Sequence, residues 1–420
     1  MGILPCPLPC HSTMESQSHS THLQSDSSSS LSSQSSLPSV PSLTPSSQQQ
    51  EQQPSTTNHH CISTLKGHSS YVFSLTLAGK FLYSGTSDKE IRVWSRGDPS
   101  SHENSTDNVM AIGGGAVKSL VVLGDKLFSA HQDHKIRVWK IENNDDSNPK
   151  YYKCMATLPT LGDRALRLFW AKNYVQVRRH KKCTWVHHVD TISALALSKD
   201  GSLLYSASWD RTFKIWQTSN FKCLESVWNA HDDAINAIVL SNDGYVYTGS
   251  ADMKIKVWKK HEGEKKHSLV DTLEKHKSAI NALALSTDGS VLYSGACDRS
   301  IIVWERARGD IGGGGGGHMV VAGAIRGHTK AILCLAVVSD LVCSGSADKT
   351  VRIWRRGVEK SYSCLAVFEG HKGPVKCLTA AVDGYNHGRS TSDNSGSSYL
   401  VYSGSLDCDI KVWQIWVPFL

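Results

Sequence analysis

The sequence predicts an all-β fold, a seven-bladed β-propeller whose ring is closed by an N-terminal strand. Two observations support this prediction. One is a pattern of a hydroxyl residue, an aspartate and a tryptophan that recurs seven times at fixed spacing, and the other is the set of short β-rich runs around it. Such repetition is typical of folds built from similar units arranged around an axis.

Each repeat ends in a segment that closes on a tryptophan, as in Ile91-Arg92-Val93-Trp94. An aspartate precedes that tryptophan by six residues, and a serine or threonine precedes the aspartate by four. The tryptophans are Trp94, Trp139, Trp216, Trp258, Trp304, Trp354 and Trp413. The aspartates are Asp88, Asp133, Asp210, Asp252, Asp298, Asp348 and Asp407, and the hydroxyl residues are Ser84, Ser129, Ser206, Thr248, Ser294, Ser344 and Ser403.

A histidine that stands seven residues before an apolar residue is the fourth marker of the repeat. The histidines are His68, His188, His231, His276, His328 and His371. The second repeat departs from the pattern, because Gly113 stands at the equivalent place, seven residues before Leu120. We therefore expect Asp133 to lack a histidine partner and the second blade to tolerate loss of that carboxylate best.

Between each histidine and its aspartate lie two runs typical of β-strands. In the fourth repeat, Ala-Ile-Asn-Ala-Ile-Val-Leu-Ser is followed by Tyr-Val-Tyr-Thr-Gly-Ser, and the turn Asn242-Asp243-Gly244 separates them. A third run carries the tryptophan and a fourth precedes the next histidine. Four strands per repeat is the pattern of a propeller blade.

These markers resemble those of the WD-repeat family, whose repeats run from a Gly-His pair to a Trp-Asp pair. The Gly-His pair is intact at 67–68, 327–328 and 370–371, whereas the residue after each tryptophan is never aspartate. The resemblance covers residues 61 to 416. It implies that, in each blade, the aspartate accepts a hydrogen bond from the histidine, the histidine reaches the hydroxyl, and the tryptophan indole completes the chain.

The two ends of the chain differ in composition from the repeats. Residues 1–58 are rich in Ser, Gln, Thr and Pro and too poor in apolar side chains to form a core, so we expect a disordered tail followed by the propeller at 59–420. The chain ends seven residues after Trp413, too soon for a fourth strand in the last blade. The run Cys61–Leu65 is expected to supply that strand, as is common in WD-repeat rings, and to remove the free sheet edges.

The composition argues against an enzyme. A Ser, His and Asp set could suggest a hydrolase, but a catalytic triad is needed once and this set recurs in the repeats, so we interpret it as structural. The twelve cysteines include no Cys-x-x-Cys pair, and no phosphate-binding loop follows the glycine run 312–317. We expect no cofactor, no metal and no catalytic residue, and free thiols in a reducing compartment.

Partners of such a ring usually contact the top rim, where the histidine loops and the aspartate turns lie. Two exposed aromatic residues are expected there, Tyr71 three residues after His68 and Trp209 immediately before Asp210. Asp232, Lys277 and Lys372 each follow a marker histidine directly and are further candidates. The alternative for Trp209 is that its ring packs on its own blade.

The longest departure from the repeat is an insertion at about 159–187, between Trp139 and His188. We expect a short helical turn at 164–172 and a position above the mouth of the channel. Its basic run includes Arg178, Arg179, Lys181 and Lys182, which could remain solvated, bind an acidic protein or bind a phosphorylated partner or RNA. The run Asn173–His180 with Trp185 resembles the plant JINGUBANG-like WD-repeat group, which implies a non-enzymatic regulator of growth or transcription.

The function predicted is a scaffold for protein–protein interaction, a plant regulatory adaptor of signalling or transcription. The alternative is a substrate receptor of a cullin-type ubiquitin ligase, although such receptors usually carry Trp-Asp-x-Arg, which is missing here. No apolar run is long enough to span a membrane. We expect a monomeric propeller in the cytoplasm or nucleus whose partners are other proteins rather than nucleic acid.

Overall fold

The fold is a ring of seven four-stranded antiparallel sheets, which confirms the predicted seven-bladed propeller. The computed structural model describes residues 40–44, 57–96, 108–141, 152–168, 174–178, 181–307, 318–357, 360–384 and 396–419. In chain order the first strand of each blade contacts the first strands of the two neighbouring blades, so these strands line the central channel. The fourth strand of each blade therefore forms the outer wall.

The first four blades follow one another along the chain, each strand pairing with the next. Blade 1 contains β2 (Val72–Ala78), β3 (Phe81–Thr86), β4 (Glu90–Ser95) and β5 (Val109–Ile112). Blade 2 contains β6 (Val117–Leu123), β7 (Lys126–His131), β8 (Ile136–Lys140) and β9 (Cys154–Leu158). Blade 3 contains β12 (Ile192–Leu197), β13 (Leu203–Ser208), β14 (Phe213–Gln217) and β15 (Cys223–Val227). Blade 4 contains β16 (Ile235–Leu240), β17 (Tyr245–Ser250), β18 (Lys254–Lys259) and β19 (Ser268–Glu274).

The remaining three blades complete the ring. Blade 5 contains β20 (Ile280–Leu285), β21 (Val291–Ala296), β22 (Ile301–Arg306) and β23 (Met319–Ile325). Blade 6 contains β24 (Ile332–Val338), β25 (Leu341–Ser346), β26 (Val351–Arg356) and β27 (Tyr362–Phe368). Blade 7 contains β28 (Val375–Val382), β29 (Gly396–Ser405), β30 (Ile410–Pro418) and the N-terminal β1 (Asn58–Leu65).

The hydrophobic cores lie between neighbouring blades. Tyr247 and Val257 of blade 4, for example, pack in one cluster with Ile280, Leu292 and Trp304 of blade 5. The alternation of apolar residues along each strand allows this arrangement, because both faces of a blade are covered by its neighbours except at the outer wall. Each blade is therefore held by the blades on either side of it.

The ring closes through β1, which pairs antiparallel with β30 from Asn58 opposite Trp416 to Leu65 opposite Ile410. Leu65 is buried and packs with Leu75 of blade 1 and Val412 of blade 7. The predicted closure is thus confirmed, with a strand three residues longer than the expected Cys61–Leu65. Because β1 pairs with β30, the strand β30 has a hydrogen-bonded neighbour on both sides where the ring closes.

The region expected to be a disordered tail contains one described segment, residues 40–44. Ser42 forms a parallel bridge with Ala324 in β23, on the outer wall of blade 5. The strand β1 also begins at Asn58, one residue inside the predicted tail boundary. Residues 1–39 and 45–56 lie outside the described ranges.

The insertion contains the helix α1 (Leu161–Leu168) and a hairpin of β10 (Tyr174–Arg178) and β11 (Lys181–Thr184). The helix begins three residues before the predicted turn, and the hairpin was not predicted. Thr160 caps the helix, since its hydroxyl accepts a hydrogen bond from the Asp163 amide at 3.1 Å. None of the helices among the described residues combines the length and the apolar character needed to cross a bilayer.

Candidate interaction surface

The four repeat markers form one buried hydrogen-bond chain in each of blades 3 to 7. In blade 5 the His276 Nδ1 lies 2.8 Å from the Asp298 Oδ2, and its Nε2 lies 2.7 Å from the Ser294 Oγ. The Trp304 indole N–H donates to the same Oγ at 2.9 Å. The equivalent contacts join His188, Ser206, Asp210 and Trp216; His231, Thr248, Asp252 and Trp258; His328, Ser344, Asp348 and Trp354; and His371, Ser403, Asp407 and Trp413.

The charge in each chain resides on the aspartate. Burial alone would raise the pKa of Asp252, but the hydrogen bond from His231 and its neighbouring N–H donors lower that pKa to about 2. The pKa of Asp298 is held below its usual value in the same way, against burial, by His276 and by the Ser300 hydroxyl. The carboxylate stays ionised and accepts the Nδ1–H of the imidazole, whose Nε2 lies beside the Ser or Thr hydroxyl.

The aspartate also fixes the loop that follows the histidine. Its Oδ2 accepts the backbone N–H of the residue that follows the histidine. The Lys277 N–H donates to Asp298 at 3.0 Å, and the Lys372 N–H donates to Asp407 at 2.7 Å. Asp232 is held by Asp252 in the same way. Each chain therefore ties the histidine loop to the aspartate turn and sets the position of a residue at the rim.

Blade 2 lacks the marker histidine but contains an imidazole at the same place. The ring of His131, from the end of β7, lies with its Nε2 2.7 Å from the Ser129 Oγ, and the Trp139 indole donates to that Oγ at 2.8 Å. The His131 Nδ1 lies 2.9 Å from the Gly115 carbonyl oxygen. The side chain is fully buried, and burial lowers the pKa of His131 to about 4, so the ring is neutral.

Gly113 is part of this rearrangement. A Cβ atom at Gly113 would overlap the ring of His131, so the space that a marker histidine would enter is already filled. Asp133, released from the chain, forms a bidentate pair with Arg137 at 3.1 and 2.5 Å. The expectation that Asp133 lacks a histidine partner agrees with these contacts, but the blade itself keeps an imidazole, which the sequence pattern did not indicate.

Blade 1 differs from its predicted chain at one link. His68 and Trp94 both contact the Ser84 Oγ at 2.8 Å, but the buried Nδ1 of His68 has no hydrogen-bond partner among the described residues. Asp88 instead accepts the hydroxyls of Ser69 and Thr86. Burial and the charge of Arg92 lower the pKa of His68 to about 3 against the opposing effect of Asp88, which keeps the imidazole neutral.

The predicted rim residues are exposed to different extents. The side chains of Asp232, Lys277 and Lys372 are exposed, and Tyr71 is 50% exposed. Trp209 is half-buried, so it both packs on the ring and presents part of its surface to solvent.

Tyr71 and Trp209 belong to one aromatic patch that spans blades 1 to 3. The Lys118 Nζ lies 3.8 Å from the centroid of Phe73 and 5.6 Å from that of Trp209, and Phe73 lies 6.4 Å from Tyr71. Phe73 and Lys118 come from the innermost strands β2 and β6. We name these four residues the rim patch. Phe73 and Lys118 were not predicted, although their equivalent positions on adjacent innermost strands could have indicated them.

The insertion lies on the outer wall rather than over the channel, where we expected it. The Asp163 carboxylate of α1 accepts the backbone N–H of Cys223 at 3.0 Å, and Cys223 begins β15, the outermost strand of blade 3. The buried Lys214 ammonium of the same blade donates to the Trp185 carbonyl at 2.7 Å. Both contacts place the insertion beside blade 3, away from the innermost strands.

The basic run of the insertion falls at the turn of its hairpin. Arg178 ends β10, and Lys181 and Lys182 begin β11. Arg179 lies outside the described residues. The backbone therefore brings three of the four basic candidates to one hairpin end.

The described residues contain no group of three or more His, Cys, Asp or Glu side chains placed to hold a metal ion. Nine cysteines of the described ranges have free thiols, and burial raises the pKa of both Cys334 and Cys343 to about 12. Those two thiols are therefore protonated and act as small apolar core groups.

Comparison with known proteins identifies the repeats. The family WD domain, G-beta repeat matches residues 59–95, 180–217, 221–259, 267–305, 320–355 and 362–414, more than half of the chain. The match omits the strands of blade 2, where the marker histidine has been replaced. The unmatched blade is the one in which the imidazole comes from His131.

Several curated proteins are similar over part of their length. Protein ROOT INITIATION DEFECTIVE 3 of Arabidopsis thaliana is 30% identical over 208 residues, 46% of this chain and 45% of that protein. Pre-mRNA-processing factor 19 of Oryza sativa is 26% identical over 31% of this chain and 23% of its own length. A probable cytosolic iron-sulfur protein assembly protein 1 of Chaetomium globosum is 31% identical over 24% of this chain and 26% of its own length.

The alignments span less than half the length of each of these relatives, whose names indicate different roles. WD-repeat propellers generally serve as scaffolds for protein interaction, and the family match and the seven blades show that this chain belongs to the WD-repeat family.

Proposed function

We propose that the protein is a non-enzymatic scaffold that binds other proteins through the top rim, with the rim patch as its main contact. The observation that supports this most is how the repeat side chains are used. In blades 3 to 7 every marker histidine, hydroxyl and aspartate is paired inside its own blade, so these groups serve architecture. The residues beside them are left exposed on a rigid ring.

The rim patch has the composition of an interface centre. Aromatic side chains supply much of the energy at protein interfaces. Phe73 and Trp209 lie beside the Lys118 ammonium, and Tyr71 lies beside Phe73. A partner segment with an apolar or aromatic side chain fits this arrangement.

We further propose a role as a plant regulatory adaptor of signalling or transcription in the cytoplasm or nucleus, acting as a monomeric propeller. The resemblance of the insertion to the JINGUBANG-like group supports this role. The similarity to an Arabidopsis protein named for root initiation supports it as well.

The basic hairpin is proposed as a second contact, for an acidic or phosphorylated protein. It belongs to the insertion that lies beside blade 3, the blade that carries Trp209 of the rim patch. The replacement Arg178→Ala/Arg179→Ala should weaken binding of such a partner and reduce the dependence of that binding on salt. Unchanged affinity and unchanged salt dependence would exclude the hairpin as a contact.

The rim proposal is tested by co-purification of wild type and Trp209→Ala from plant extract, with bound proteins quantified by mass spectrometry. Phe419→Ala is the matched control, because Phe419 is 64% exposed and follows the end of β30, at the opposite end of that strand from the aspartate turn. We expect Trp209→Ala to lose specific partners that Phe419→Ala keeps, at equal thermal stability. An identical set of partners for all three proteins would contradict the proposal.

A further inference from the structure

Residues 40–44 form an extended segment with one β-bridge to the outer wall of blade 5. The Leu43 N–H donates to the Ala324 carbonyl at 2.8 Å, and the Ala324 N–H donates to the Pro41 carbonyl at 2.9 Å. Ala324 belongs to β23, the outermost strand of that blade. The segment therefore extends the blade by main-chain pairing, as a peptide does when it adds to an open sheet edge.

The same segment also contacts blade 6. The Tyr362 N–H, at the start of β27, donates to the Leu43 carbonyl at 2.8 Å. The Arg326 guanidinium, in the connection between the two blades, donates to the Val40 carbonyl at 3.0 Å. We name the site between β23 and β27 the inter-blade groove.

Two aliphatic side chains anchor the segment, Leu43 in the groove and Val40 on the other side of blade 5. Val40 packs against the core cluster shared by blades 4 and 5, and Leu43 packs against the cluster that contains Tyr293 and Tyr362. Ser42, between them, is exposed. The site therefore selects an aliphatic residue at the first and fourth positions of the segment. Pro41, between them, favours the extended backbone conformation.

The floor of the groove is formed by Gly323. A Cβ atom there would lie 2.5 Å from the Leu43 Cγ and 3.0 Å from the Pro41 carbonyl oxygen, and the nearest atoms to it all belong to the bound segment. A side chain at position 323 would therefore clash with the bound segment and not with the blade. Gly323 permits the close approach of a second backbone.

We propose that the inter-blade groove is a peptide-binding site for an extended segment of the type aliphatic-Pro-Ser-Leu. Residues 40–44 occupy it in cis, and a partner protein with a segment of the same type competes for it. Recognition rests on main-chain hydrogen bonds and two apolar pockets, none of which requires the ligand to belong to the same chain.

The chain connection explains how so short a segment stays bound. Thirteen residues separate Thr44 from β1, and Thr57 at the end of that connection donates to the Leu365 carbonyl in β27 at 2.9 Å. A tether of this length gives an effective concentration on the order of millimolar. A ligand of modest affinity is then held in cis and still exchanges with a competitor.

The test uses full-length protein and a fluorescent peptide of residues 38–46, followed by fluorescence anisotropy. Leu43→Asp should vacate the groove, because a carboxylate cannot enter the apolar pocket, and this variant should bind the peptide saturably. Wild type should bind the peptide at least tenfold more weakly. A peptide that carries Leu43→Asp should not bind either protein.

The matched controls separate the groove from the rest of the ring. Adding Gly323→Ala to the Leu43→Asp protein should weaken peptide binding at least tenfold, whereas adding Gly384→Ala should not, because a Cβ at Gly384 meets no atom within 4 Å. Both glycine variants should unfold at the wild-type temperature. The proposal is overturned if the vacated protein does not bind, if Gly323→Ala has no effect, or if wild type binds as tightly as the vacated protein.

Hydrogen exchange gives a second readout that does not depend on the added peptide. The amides of Ala324 and Tyr362 donate to the segment in the wild type, so they should exchange at least tenfold faster in the Leu43→Asp protein. Saturating peptide should restore their protection. Equal exchange in wild type and variant would contradict occupation of the groove in cis.

Discussion

Blades 2 and 5 contain the same buried trio of imidazole, hydroxyl and indole but obtain the imidazole from different places. In blade 5, His276 comes from the loop before the first strand and joins Ser294 to Asp298. In blade 2, His131 comes from the end of the second strand and joins Ser129 to a backbone carbonyl. The comparison shows that the imidazole beside the buried hydroxyl can come from two different positions in the sequence.

The acceptor also differs between the two blades. In blade 5 it is an ionised carboxylate, whereas in blade 2 it is the uncharged carbonyl of Gly115. Asp133 of blade 2 pairs with Arg137, and both side chains retain some exposure. The aspartate of blade 2 therefore pairs with a partly buried arginine instead of the imidazole.

The largest predicted effect is loss of the imidazole. His131→Ala and His276→Ala should each lower the free energy of unfolding by about 3 kcal/mol, because each leaves a cavity and unpaired buried polar groups. Urea unfolding measures both changes. His134→Asn, an exposed replacement in blade 2 at a positive φ that Asn tolerates, should change stability by less than about 0.5 kcal/mol. An equally small effect of His131→Ala would show that His131 does not support blade 2 as His276 supports blade 5.

Loss of the aspartate should distinguish the blades. Asp298→Ala should cost about 2–4 kcal/mol, because the buried His276 and a rim backbone N–H lose their acceptor. Asp133→Ala should cost about 1 kcal/mol or less, because it removes only a partly exposed ion pair. Parallel urea titrations give both values, and equal costs would mean that Asp133 supports its blade as Asp298 does.

The pH dependence of stability provides a smaller effect. His131 has a pKa of about 4 in the folded protein and about 6.5 when unfolded, so the unfolded chain binds a proton first as the pH falls. Its contribution is complete above pH 6.5 and declines below it. His131→Asn should therefore reduce the stability lost between pH 7 and pH 5 by about 2 kcal/mol. His134→Asn should leave that loss unchanged, and an unchanged loss in His131→Asn would show that His131 is not kept neutral.

Much of the fold could be predicted from the sequence because the blades repeat. Seven copies of one spacing leave little freedom for the strand order within each blade. The fourth strand missing from the last blade indicated that β1 completes it. The regular hydrogen-bond chains of blades 3 to 7 follow the markers for the same reason.

The unpredicted features depend on contacts between residues without a repeated spacing. His131 stands two residues after Ser129, where the other blades have Thr86, Ser208, Ser250, Ala296, Ser346 and Ser405. The unusual histidine at 131 together with the missing histidine at Gly113 could have indicated the exchange. Neither residue indicates it alone. The hold of residues 40–44 on the outer wall rests on main-chain hydrogen bonds, which a Ser- and Pro-rich composition does not reveal. The predicted position of the insertion was wrong because its actual position depends on the contact between Asp163 and blade 3.

The most direct test of the exchanged histidine is a double-mutant cycle in blade 2, measured as free energies of unfolding. Gly113→His alone should destabilise the protein, because the His131 ring fills the site, and His131→Ser alone should destabilise it by removing the imidazole. The double variant restores the arrangement of blade 3, with the new histidine between Ser129 and Asp133. We predict that adding Gly113→His to His131→Ser recovers at least about 1 kcal/mol. If that addition lowers the stability further, the two positions do not share one imidazole site.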